Sequence, residues 1–175
     1  TGLQRVADFD HVAVAVEDRV QIRGALVLTG HAAAKATQAH VAARAAAGST
    51  TADIDKLTEL LDQARKCIDE GPSQRDAFIE IDKSIHMTLA QVAANPIYIS
   101  VLHSVHDNIH RYYDEFLSMD LRELQENYRD LCDLVHAVEK GQADRARRLA
   151  RNHVRRFNQY MKRRRKEAES KRQTA

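Results

Sequence analysis

Asp82 and His86 lie four residues apart, so on a helix they stack on one face. Their neighbours on that face are Phe78, Ile81, Ile85 and Leu89. A carboxylate and an imidazole among such residues cost several kcal/mol, roughly, unless they are paired or coordinated. His153 sits between Leu149 and Phe157, each four residues away, and faces inward by the same logic. Imidazole nitrogen and carboxylate oxygen both suit zinc and its neighbours. Asp82, His86 and His153 therefore read in two ways. They form a three-donor metal site with open positions, or they are an Asp–His hydrogen bond beside a satisfied core histidine.

Three further histidines, His103, His106 and His110, follow one face of a later helix and border the apolar stripe beside it. Two Asp-x-x-His pairs, Asp107/His110 and Asp133/His136, resemble the Glu-x-x-His pairs of dinuclear sites in helical bundles. This keeps a metal-containing enzyme of the di-iron type open as an alternative. Against it, Asp is shorter than the usual Glu and His136 falls off the apolar stripe. No Ser-His-Asp elbow, phosphate-cradling loop or metalloprotease motif is present in the sequence, and the chain reads as a non-enzyme.

The elements that must position these residues are helical. Only 6 Gly and 2 Pro punctuate 175 residues, 43% are apolar, aromatics are 5%, and Trp is absent. Few breakers mean long helices and short connections. A helical pattern begins near Glu17 and runs through the Ala-rich stretch Ala32 to Ala47, with a break at Gly30. Gly48-Ser49-Thr50 ends it. Thr50 and Asp53 resemble a capping box. The helix that follows carries Ile54, Leu57, Leu60, Leu61 and Ala64 and stops at Gly71-Pro72. Ser73 is placed to cap the next one, with its stripe Phe78, Ile81, Ile85, Leu89 and Val92. Asn95-Pro96 supplies an N-cap and a proline at the first helical position. Asp120 with Glu123 fits another capping box, opening a helix through Leu124, Tyr128, Leu131, Val135 and Val138 to Gly141. The last helix holds Ala146, Leu149, Ala150, Val154, Phe157 and Met161. The predicted fold is all-α, an antiparallel bundle of six to seven helices.

Charge is divided along the chain. Residues 145–175 hold 13 of the 27 Lys and Arg and only two acids, while the remainder carries 14 bases against 23 acids. The basic run Lys162 to Lys166 has no interleaved aromatic residues to stack bases on, and its cations suit a helix C-terminus. No apolar run approaches the roughly 18 residues of a membrane helix, and the start lacks a signal-peptide layout. Two cysteines, Cys67 and Cys132, both within helical patterns, make no disulfide framework and read as small apolar residues. A cytoplasmic protein without membrane contact is expected. A periplasmic or receptor sensing bundle is a further alternative, and the lack of a membrane helix or signal in this sequence argues against it.

Two blocks carry a family resemblance. Ile81-Asp82-Lys83-Ser84-Ile85-His86 precedes Ala93-Ala94-Asn95-Pro96. Ala137-Val138-Glu139-Lys140-Gly141 is followed by Ala146, with His153 twelve residues after the glycine. Together they resemble the C-terminal effector-binding (FCD) domain of FadR-type GntR-family transcription regulators, best over residues 73–160. The resemblance implies a buried cavity in which an Asp and three His often hold one divalent metal such as zinc, nickel or manganese. It implies an effector that is a small carboxylate or related metabolite. It also implies homodimers, and DNA binding through an N-terminal winged helix-turn-helix that has no counterpart here. Asp82, His86 and His153 match three of the ligands. The fourth His would stand 22 residues before the last, where this chain has Leu131. The site is then completed by water or effector, or the metal is lost and the effector meets Asp82 and the two His directly, or the cavity takes a more apolar ligand, as in members that bind fatty acyl-CoA. An Arg of the first helix meets the effector carboxylate in the family. Arg23 is the candidate here, with an exposed salt-bridge role as its alternative, and His103, His106 and His110 are candidates for the cavity border. The expected organisation is a linker or remnant over 1–15, the FCD-like domain over 16–161 and a basic tail over 162–175.

Overall fold

The structure is a computed structural model that describes residues 35–113 and 119–173, with side chains throughout except at 107–113, 165, 168, 169, 172 and 173. All of these residues lie within one compact unit, Ala34–Ala175. Among the described residues there are six α-helices and one 3-10 turn, and no strand. We name the helices α1 (35–48), α2 (Thr51–Glu70), α3 (Arg75–Val92), α4 (Pro96–Tyr113), α5 (Leu121–Glu139) and α6 (Ala143–Gln173). The all-helical bundle expected from breaker content and stripe spacing is the fold observed.

Three of the helix starts follow local chemistry. Thr50 accepts from the Asp53 amide and Asp53 returns a bond to the Thr50 amide, a complete capping box for α2. Asp120 and Glu123 do the same for α5. Asn95 Oδ1 accepts from the Ile97 amide at 2.9 Å, behind Pro96 at the first position of α4. One expected cap is absent. Ser73 lies inside a 3-10 turn, Pro72–Gln74, and α3 begins only at Arg75, with Gln74 as an N-cap that makes no side-chain cap bond. Gly71 at φ 93° turns the chain so that the proline starts this extra turn and displaces the start of α3 past the serine.

Packing puts α3 at the centre. Ile85 to Ala90 are buried without interruption, so this stretch is enclosed on every side rather than along one stripe. It packs against α2, α4 and α5. α2 contributes the buried Leu57, Ala64, Cys67 and Ile68, and α5 contributes Leu124, Leu131, Leu134, Val135, Ala137 and Val138. α6 lies along α5, burying Ala146, Ala150, Val154 and Tyr160. The alanines of α1 let it approach closely, and Arg44 Nε donates to the Ala93 carbonyl at 3.1 Å, tying α1 to the end of α3. Cys67 is buried, Cys132 is half-buried, and both are free thiols. The basic run from Lys162 continues α6 as helix as far as Gln173. No helix among the described residues is long and apolar enough to cross a membrane.

Candidate metal centre

The i, i+4 spacing on α3 sets Asp82 one turn before His86, and the packing of α6 brings His153 to meet them. His86 and His153 are 3% and 7% exposed. Their Nε2 atoms are 3.2 Å apart, and Asp82 Oδ1 lies 3.8 Å from His86 Nε2 and 3.7 Å from His153 Nε2. The imidazole rings are tilted by 41° with centroids 5.0 Å apart. Asp82, with 18% of its side chain exposed, has an Oδ1 that is buried and accepts no hydrogen bond. An orphaned carboxylate oxygen between two imidazole nitrogens is unfavourable unless something cationic joins them.

The residues fit a divalent ion. Bonds of about 2.0–2.2 Å in tetrahedral geometry place ligand atoms roughly 3.4 Å apart. The three donor atoms here lie within 4.8 Å of one another. The two nitrogens are already near that spacing, and the carboxylate oxygen needs to close by only a few tenths of an ångström.

Electrostatics favour the coordinating form at His86 and oppose it at Asp82. Burial, then the neighbouring His153 and His106, hold His86 well below the ordinary imidazole pKa, so it stays neutral and able to coordinate. Burial raises the Asp82 carboxyl above the usual carboxylate value, with His153 pulling the other way.

The other candidate residues are distributed differently. His106 on α4 is buried, and its ring centroid lies 5.9 Å from that of His86, so it borders the cluster. His103, three residues earlier, is exposed. Arg23 and the side chain of His110 lie outside the described residues. Leu131, at the position 22 before His153, is completely buried in the apolar core. The α5 side chain that faces His153 is its neighbour Asp130, whose Oδ2 is 3.8 Å from His153 Nδ1 and whose Oδ1 is 3.1 Å from Arg156 Nη1. Counting back from His153 finds the leucine and misses the aspartate, because spacing does not report how α5 is rotated against α6.

A cleft of about 180 Å³ opens between α5 and α6. His153, Asp130, Asn127, Arg156, Tyr160 and Arg163 are among its lining residues. Asn127 Oδ1 is buried there without a hydrogen-bond partner. At one end, Glu123 binds Arg163 at 2.6 Å and Arg164 at 3.4 Å, and both guanidinium groups lie over the Tyr160 ring.

The helical bundle thus holds a buried carboxylate–imidazole cluster, with His153 reaching a cleft of mixed polar and apolar lining. The FCD domain family model matches residues 31–156, and the chain belongs to that family. The family read from the Asp82/His86 and Gly141/His153 blocks is thus the one found. Among solved structures, E. coli McbR/YncC matches with a TM-score of 0.68 at 14% identity, over 78% of this chain and 64% of that one. At that identity the likeness is one of fold. The chain spans less than two thirds of that structure's length. No curated protein sequence matches.

Proposed function

We propose that this chain is the effector-sensing and dimerisation domain of a GntR/FadR-type transcription regulator. The single observation that carries the site assignment is the convergence of Asp82 Oδ1, His86 Nε2 and His153 Nε2 in the bundle interior. Asp82, His86 and His153 hold one divalent metal, and a small carboxylate completes its coordination. The bound ion supplies a fixed positive charge that selects an anionic effector. The cleft beside His153 is the approach to it, and its small volume favours a short organic acid over a long acyl chain. Effector binding shifts α6 against α5 and α3. In a homodimeric regulator this changes the separation of two DNA-binding domains outside this sequence, and with it the fit to paired half-sites. A regulatory role rather than a catalytic one accords with the family.

The test is thermal unfolding of the zinc-loaded chain against a panel of small mono- and dicarboxylates, with Asp82→Asn in parallel. A true effector at a hundred times its Kd stabilises by about 2.7 kcal/mol, roughly 5–10 °C in a domain of this size. The shift is expected in the wild-type chain and absent in the variant. Stabilisation by acyl chains alone would overturn the carboxylate assignment.

A further inference from the structure

His153 presents its two ring nitrogens to two different carboxylates. Nε2 faces Asp82 and His86, and Nδ1 faces Asp130 on α5. A neutral imidazole carries one N–H. Coordination through Nε2 requires that proton to sit on Nδ1, where it needs an acceptor. Asp130 is the carboxylate at that edge. It is only 16% exposed, and its second oxygen is held by Arg156, which fixes the direction in which Oδ2 points. The 3.8 Å separation from Nδ1 is longer than a hydrogen bond, so the two groups must draw closer for that bond to form. Asp130 does not join the donor cluster itself, because it lies on the opposite edge of the ring from Asp82.

We propose that Asp130, braced by Arg156, is the positioning residue of His153: it holds the imidazole as the Nδ1–H tautomer and so aims Nε2 at the Asp82/His86 cluster. A consequence follows for the metal-free protein. With its proton on Nδ1, His153 Nε2 can only accept, so the 3.2 Å contact is a bond donated by His86 Nε2–H. Metal binding then moves the proton of His86 from Nε2 to Nδ1 and leaves the tautomer of His153 unchanged. The tautomer assignment stands on the geometry of Asp130 alone. The metal consequence rests on the site reading proposed above.

The experiment is histidine ¹⁵N NMR of the full chain without metal and after zinc, on wild type, Asp130→Ala and Asp130→Asn. Resonances are assigned by their loss in His86→Gln and His153→Gln, and zinc affinity is measured by chelator competition. Wild-type His153 is expected as Nδ1–H in both states, and His86 as Nε2–H switching to Nδ1–H with zinc. Asp130→Ala is expected to release the His153 tautomer and weaken zinc about 10–100-fold. Asp130→Asn, which keeps an acceptor oxygen, is expected to fall between. An Nε2–H His153 in the metal-free wild type overturns the proposal, as does an Asp130→Ala chain with unchanged tautomer and affinity. If wild type takes up no zinc, the metal reading fails while the metal-free tautomers still decide on Asp130. If Asp130→Ala does not fold, the wild-type and Asp130→Asn spectra decide.

Discussion

The Nε2 atoms of His86 and His153, 67 positions apart in the chain, meet at 3.2 Å inside the bundle. Two buried imidazoles this close cannot both be protonated without repulsion and desolvation working together against the fold.

This makes the metal-free protein acid-sensitive. The folded pKa of His86 is depressed, so the unfolded chain takes up a proton near the ordinary value of 6.5 that the folded chain refuses. The contribution of His86 to stability is complete above that pH and is lost as pH falls through the interval below it. Asp82, whose folded pKa is raised by burial, acts in the opposite sense, over a window that opens at its ordinary value of 3.8 and extends upward from there. The melting temperature of the metal-free protein is therefore expected to fall between pH 7.5 and 5.5, and His86→Gln to flatten that slope. An equal slope in the variant would remove His86 as its source.

Glu123 carries two duties. Its Oε2 accepts from the Asp120 amide to close the α5 cap, and the same carboxylate binds Arg163 and Arg164 of α6. Glu123→Gln keeps a capping acceptor but removes the charge, and is expected to cost about 0.5–1 kcal/mol, reduced by salt. Asp120→Ala removes the cap acceptor and is expected to cost about 1 kcal/mol whatever the salt. Urea unfolding at low and high ionic strength separates the two.

Ala94 closes α3 at φ 51°, a left-handed conformation that favours glycine. It is exposed, so nothing is lost by removing its methyl group. Ala94→Gly is expected to stabilise by about 0.5–1 kcal/mol, and Gly141→Ala, at φ 66° between α5 and α6, to destabilise by about 1 kcal/mol. Equilibrium denaturation of the two variants checks opposite signs from one cause.

Phe78 is completely buried at the start of the α3 stripe. Phe78→Ala is expected to cost about 3–5 kcal/mol, and a cost below 1 kcal/mol in urea unfolding would contradict its place in the core.

What could be read from residues alone was whatever depends on near neighbours. The boxes at Thr50 and Asp120 and the Asn95-Pro96 start are each settled within four residues, and they appear as expected. The Asp82/His86 pair is also local, a matter of one helical turn. Ser73 failed because Gly71 and Pro72 together build a 3-10 turn, which a capping motif does not encode. Which of His103 and His106 turns inward depends on how α4 rotates against α3, and periodicity near a stripe edge leaves that open. Asp130 was invisible for the same reason. Its neighbour Leu131 is the one on the stripe, and only the packing of α5 on α6 shows that the aspartate meets His153.

The most direct test of the metal-dependent sensor is elemental analysis of the chain purified without added metal or a His tag, repeated on His86→Ala. About one zinc, nickel or manganese per wild-type chain, lost in a folded variant, is the expected result. No metal in the wild type, or the same content in the variant, would contradict the assignment of Asp82, His86 and His153 as its ligands.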